Sequence, residues 1–124
     1  MAHILVVDDE ESIRFSFHHF LTTEKHSVIA ADGFRMALAC MNEETFDVIL
    51  ADIFLHDGWG IDILQEVLRK NIKTRVIIMT AYPAIETIEA SFNMHASDYL
   101  VKPLRQEELL RSIDKAMQSH ELFI

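Results

Sequence analysis

The stretch Phe46-Asp47-Val48-Ile49-Leu50-Ala51-Asp52 decides how this chain is read. From Val48 to Ala51 every side chain is apolar, as suits a strand covered on both faces, and the run then stops on a carboxylate with no packing reason to be there. Other strand-like runs end the same way. His3 to Val7 stops at Asp8-Asp9, Val76 to Met79 stops at Thr80, and Tyr99-Leu100-Val101 stops at Lys102. If these strands are parallel, Asp8, Asp9, Asp52, Thr80 and Lys102 lie on one edge of one sheet. Three carboxylates, a hydroxyl and an ammonium there make a site for a cation and a phosphoryl group.

Working outward, short runs rich in Val, Ile and Leu alternate with stretches of helical period, the pattern of repeated βα units. Strands are expected near 3–7, 27–31, 47–51, 75–79 and 97–101, with the first, third and fourth central because they are the most continuously apolar. The first helix carries Ile13, Phe17, Phe20 and Leu21 as one inward stripe, and Phe15 falls off it. Asp32-Gly33 reads as the turn before a helix from Phe34 to Met41. Asp57-Gly58 reads as the start of the next, with the stripe Ile61, Leu64, Val67 and Leu68. Pro83 is expected to open the fourth helix, and Leu109, Leu110, Ile113 and Met117 to line a last helix running almost to the end of the chain. Five such units with right-handed crossovers give a doubly wound α/β fold, whose ligands bind outside the carboxyl ends of the strands.

The chain has 124 residues, enough for one domain spanning 1–124 and too few for two. Its formal charge of −9, with no run of Lys or Arg, argues against direct binding to nucleic acid or an anionic membrane. Cys40 is the only cysteine, so thiolate metal sites and intrachain disulfides are excluded, a reducing compartment is implied, and the thiol is read as packing. No apolar stretch approaches the ~20 residues of a membrane helix, and the amino terminus reaches Asp8-Asp9 too soon for a signal peptide, so a cytoplasmic location is expected. Of seven histidines, His18-His19 point in different directions on a helix and no pair has ligand spacing; all are read as surface residues. The tail from Ser119 to Ile124 does not read as a linker.

The motifs Val6-Val7-Asp8-Asp9-Glu10, Asp52 after the third strand, Thr80-Ala81 after the fourth, and Asp98-Tyr99-Leu100-Val101-Lys102-Pro103 together resemble the receiver domain of bacterial two-component response regulators. The resemblance covers essentially the whole chain, and from Thr80 to Pro103 it is nearer to receivers joined to sigma-54-dependent activators than to the stand-alone chemotaxis type. It implies a flavodoxin-like sheet of order 2-1-3-4-5 with five helices. It implies that Asp52 accepts the phosphoryl group from a histidine kinase or histidine phosphotransfer protein. Mg²⁺ would be held by Asp9, Asp8, Asp52 and the backbone carbonyl of Phe54. Thr80 and Lys102 would bind phosphoryl oxygens with help from the amide of Ala81, and Tyr99 would change rotamer with Thr80. The Lys102-Pro103 bond is cis in that family.

The implied role is a switch more than an enzyme: the face of the last two helices, around Tyr99, passes the signal to an output domain or partner, and a homodimer through those helices is a candidate assembly. Without metal, three clustered carboxylates repel, so weak Mg²⁺ binding should raise stability. Phe15 and Phe54 stand near the mouth of the site, where Phe15 is a candidate contact for the phosphodonor. Phe54 and Tyr82, each two residues beyond a site residue, are bulky enough to hinder the water that hydrolyses an aspartyl phosphate. His56 and His95 depart from the family, standing where proline and glycine are common; the first leaves the loop after Asp52 less rigid and the second questions a positive φ there. A haloacid dehalogenase-type hydrolase would use the same carboxylates but needs a second acid where Phe54 stands. A flavin or nucleotide carrier lacks its glycine-rich loop after the first strand.

Overall fold

The structure, a computed structural model, describes residues 1–70 and 72–121, and side chains as far as Gln118. The segments are β1 (His3–Val7), α1 (Glu11–Thr23), β2 (Ser27–Ala31), α2 (Phe34–Glu43), β3 (Val48–Asp52), β4 (Phe54–Leu55), β5 (Gly58–Trp59), α3 (Gly60–Arg69), β6 (Arg75–Thr80), α4 (Ile85–Asn93), β7 (Asp98–Val101) and α5 (Gln106–Glu121). The main sheet is parallel throughout, in the order β2-β1-β3-β6-β7; counted by its own five strands this is the expected 2-1-3-4-5. The two flanking helical layers make it the doubly wound, flavodoxin-like α/β fold. The tail read from Ser119 to Ile124 has its side chains outside the described residues.

Alternation along the strands splits the core into two layers. Leu5, Val7, Ile49, Ala51, Val76 and Ile78 face one side and pack on Ala37 of α2 and on Ile63, Leu64 and Val67 of α3. Ile4, Val6, Val48, Leu50, Ile77 and Met79 face the other and meet Leu21 of α1 and Leu109, Ile113 and Ala116 of α5. The three strands buried on both faces are β1, β3 and β6, which are the central ones as expected. Cys40 packs half-buried on the first layer, where burial, then Glu43 and Glu44, raises its pKa, so the thiol form is favoured.

Three local readings are corrected. Ile63 is buried in α3 while Leu68 is exposed, so the inward stripe turns one residue from the expected line. Pro83 lies ahead of the α4 N-cap, Ala84, and does not open the helix. Asp57-Gly58 does not start α3: Gly58 belongs to the short antiparallel hairpin β4-β5, and the N-cap position is held by Trp59, which makes no side-chain cap. The carboxylate of Asp57 reaches α2 instead, accepting hydrogen bonds from the amides of Phe34 (2.6 Å) and Arg35 (3.0 Å). It supplies the side-chain cap that the α2 N-cap residue, Gly33, lacks, and a Cβ on Gly33 would sit 2.6 Å from its Oδ1. At His95 the turn does use a positive φ, 67°, despite the histidine.

His3 and His26 are not simple surface residues. The His3 ring stacks on Phe46 at 4.7 Å, with Nδ1 2.9 Å from Ser27 Oγ and Nε2 2.8 Å from Glu44. His26 Nδ1 accepts from the Ala2 amide. These bonds tie β1, β2 and the approach to β3 together at the end of the sheet away from Asp52.

Candidate functional site

The parallel sheet delivers the five strand-end residues to one rim. β1 and β3 are direct neighbours with Val7 opposite Ala51, so the residues that follow, Asp8 and Asp52, emerge side by side. Asp8, Asp9 and Asp52 each offer a carboxylate oxygen, and these lie within 4.8 Å of one another. Asp8 is fully buried, Asp52 is 7 % exposed and Asp9 is exposed. Like charges packed this closely repel strongly in a half-buried setting, and a counter-charge is required.

Lys102 supplies part of it. Its amide donates to the Thr80 carbonyl (2.8 Å), extending the β6-β7 pairing by one residue, and the Lys102-Pro103 bond is cis. The Lys102 ammonium lies 2.6 Å from Asp8 Oδ2 and 2.8 Å from Asp52 Oδ2. Burial lowers the Lys102 pKa, but the hydrogen bonds to Asp52 and Asp8 outweigh it and the net shift is upward. Burial raises the Asp52 pKa, Lys102 offsets this only in part, and Asp8 adds to it. The ammonium is therefore held charged, whereas Asp52 is left short of compensating charge.

Each remaining oxygen has a distinct setting. Asp8 Oδ1 accepts from the Glu10 amide at 2.9 Å, which fixes the turn into α1. Asp52 Oδ1 has only a long bond, 3.3 Å, from the Phe54 amide. The Gly60 amide donates to the Ile53 carbonyl at 2.8 Å, one residue outside the Phe54–Trp59 pair on each strand. Phe54 and Trp59 are thus the non-hydrogen-bonded pair of the hairpin, and the amide and carbonyl of Phe54 both point away from β5, to the side on which its amide meets Asp52. Gly60 is required for this closeness, because a Cβ there would overlap the Asp52 carbonyl oxygen.

Three carboxylates and an outward backbone carbonyl form a hard oxygen donor set, which suits Mg²⁺ or Ca²⁺ and not a soft metal. Thr80, fully buried at the end of β6, accepts the Tyr82 amide on Oγ1 at 3.0 Å. Tyr99 is half-buried on β7, and its hydroxyl lies 2.8 Å from Thr87 Oγ1 of α4. Phe15 is 75 % exposed on α1, and Tyr82 is 73 % exposed beyond Thr80. All the strand-end residues singled out from the sequence converge, and Tyr99 stands on the neighbouring α4 face.

Two contributors were not singled out. Trp59 packs on Phe54 with ring centroids 5.5 Å apart, and Arg14 donates to the Asp8 carbonyl at 2.8 Å. No two-residue turn signal marks the first, because the loop residues of the hairpin are His56 and Asp57 and Gly58 is already paired.

Residues 4–114 match the response regulator receiver domain family. Among curated proteins, the chain is 33% identical over 121 residues to the alginate biosynthesis transcriptional regulatory protein AlgB of Pseudomonas syringae, covering 98% of this chain and 27% of that protein. It is 36% identical over 114 residues to the transcriptional regulatory protein ZraR of Escherichia coli, covering 92% of this chain and 26% of that protein. The chain thus spans about a quarter of the length of these relatives. A CheY-like response regulator receiver domain protein from Methanospirillum hungatei superposes with a TM-score of 0.95 at 29% identity, over 100% of this chain and 99% of that one.

Proposed function

This chain belongs to the response regulator receiver domain family, a phosphoacceptor switch of two-component signalling, and on that premise we propose that Asp52 is its phosphoacceptor. The observation that carries this reading is the Lys102 ammonium bridging Asp8 and Asp52 while the three carboxylates crowd within 4.8 Å. The Asp52 oxygen not held by Lys102 is the one with the weak amide contact, and it is the nucleophile. It attacks phosphorus as the bond from phosphorus to the donor's imidazole nitrogen breaks.

Asp8, Asp9, Asp52 and the Phe54 carbonyl fit the oxygen coordination of Mg²⁺. Bound there, the cation neutralises charge on the carboxylates and the phosphoryl oxygens. Lys102 and the Thr80 hydroxyl hold phosphoryl oxygens, aided by the Ala81 amide. Drawing the Thr80 hydroxyl inward requires it to leave the Tyr82 amide. Tyr99 then exchanges its bond to Thr87 for the vacated space, and α4 is altered with it.

The partners in this reading are a histidine kinase or phosphotransfer protein, docking beside Phe15, and an output domain or protein reading the α4-β7-α5 face, where a homodimer is also placed. Transcriptional relatives support an output of that kind. The charge of −9 leaves DNA contact to another domain. No described helix is long and apolar enough to cross a membrane. A cytoplasmic, single-domain unit fits these features. A haloacid dehalogenase-type hydrolase has no support, since Phe54 occupies the position of its second acid.

Intact mass after treatment with acetyl phosphate and Mg²⁺ is the test. One added phosphoryl group on the wild type and none on Asp52→Ala is expected. Equal labelling of both would overturn the assignment.

A further inference from the structure

At the mouth of the site three aromatic rings touch in series. Trp59 and Phe54 are 5.5 Å apart with ring planes at 55°, and Phe54 and Tyr82 are 6.2 Å apart and edge-on at 71°. All three are exposed by 42–73 %, so the series is not part of the core. Two of the three, Phe54 and Tyr82, are tied to the site residues through the backbone. The Phe54 amide bonds Asp52 Oδ1, and the Tyr82 amide bonds Thr80 Oγ1. Because Asp52 and Met79 are paired across β3 and β6, the contact between Phe54 and Tyr82 spans the rim just beyond the carboxylate.

Trp59 stands seven residues from Asp52 and touches neither it nor Thr80 through any hydrogen bond, but it is the cross-strand partner of Phe54. In a non-hydrogen-bonded pair the two side chains lie at their closest, and the hairpin carrying them is fixed at its loop by Asp57 on α2 and at its base by Gly60 against Asp52. Nothing else among the described residues stacks on Phe54 from that side.

We propose that Trp59 is a positioning residue that holds Phe54 edge-on to Tyr82, so that the paired rings narrow the path by which water reaches a phosphoryl group on Asp52. This rests on Asp52 being the phosphoacceptor. The step affected is hydrolysis: the water oxygen bonds to phosphorus as the bond from phosphorus to the Asp52 oxygen breaks, the carboxylate is regenerated, and inorganic phosphate leaves with the water's protons shared between it and solvent. When Thr80 turns to the phosphoryl group, Tyr82 loses its amide anchor, and the contact between the rings depends on Trp59 all the more.

The test is the loss of the phosphoryl mass with time, after removal of acetyl phosphate, in the full chain with Mg²⁺. Trp59→Ala should shorten the lifetime about threefold to tenfold, the range an aromatic pair contact supplies, and Trp59→Phe should restore it to within about twofold. Phe54→Ala should act like Trp59→Ala, and the double variant should be no faster than the faster single one, because both remove the same contact. The melting temperature of Trp59→Ala should lie only a few degrees below that of Trp59→Phe, the cost of one aromatic contact, so that both variants stay folded through the assay. A Trp59→Ala lifetime equal to the wild type, or additive effects of the two alanines, overturns the role of Trp59 while a labelled Asp52 leaves the site assignment standing. A wild type that gains no phosphoryl group overturns both.

Discussion

The two ends of the one sheet handle polar groups in opposite ways. At the end where the strands begin, partners are largely matched, Arg75 Nε being buried without one. The His3 ring lies between Ser27 and Glu44, Asp47 accepts the His3 amide at 2.8 Å, and buried Thr74 donates to the Phe46 carbonyl at 2.7 Å. Where the strands finish, three carboxylates crowd together and one ammonium bridges two of them, Asp8 and Asp52. The first arrangement satisfies buried donors and acceptors and adds stability. The second holds charge in excess, and in the proposed reading that excess is what draws a cation and a transferring group. Stability and reactivity are thus separated along the length of the same strands.

Removing the bridging ammonium should give the largest effect. Lys102→Ala leaves the carboxylates of buried Asp8 and Asp52 side by side without the cation that links them and should cost about 3 kcal/mol of unfolding free energy in EDTA. It should also slow phosphoryl uptake, and a denaturant titration alongside the labelling assay checks both. Next in size is metal. If the finishing end stores uncompensated charge, Mg²⁺ at about ten times its Kd should add ~1.4 kcal/mol, and Asp9→Ala should abolish that gain. A melting curve indifferent to millimolar Mg²⁺ would break the contrast.

At the beginning end, His3→Ala loses a ring stack and two hydrogen bonds and should cost about 1 kcal/mol. The labelling rate should stay within twofold or so of the wild type. A large drop in labelling would show the two ends to be coupled.

The smallest effect concerns acid. Hydrogen bonds from the amides of Arg35 and then Phe34 lower the Asp57 pKa, so its contribution is present above the unfolded value of ~3.9 and is lost as the pH falls through the folded value. Asp52 runs the other way, its raised pKa making the ionised form costly above that pKa and relieving the cost as the pH falls. Wild type should therefore lose a degree or two of melting temperature more than Asp57→Asn between about pH 5 and pH 3.

Much of this was legible from residue order. The central strands announce themselves because a strand covered on both faces must be apolar throughout, and β1 and β2 begin and end where the sequence places them while β3 moves by one residue. The site was legible for a related reason: a polar residue closing an apolar run has to emerge at the sheet's rim. What failed depends on partners far along the chain. Asp-Gly gives the same local signal whichever helix the aspartate caps, and Asp57 caps one 23 residues away. The hairpin has two residues per strand, too few to show any period, and its loop lacks the positive φ that an Asp-Gly turn suggests, since among the described residues only Lys25 and His95 have one. The place of His3 is set by Ser27 and Glu44, 24 and 41 residues distant.

The cap that Asp57 lends to α2 bears on chimeras. The segment from Asp52 to Gly60 can be exchanged with that of a relative only if the acid at position 57 is kept, because it carries the terminal acceptor of a helix encoded upstream. A graft that keeps every reacting residue but loses the acid at position 57 would import the chemistry and unravel the first turn of its neighbour.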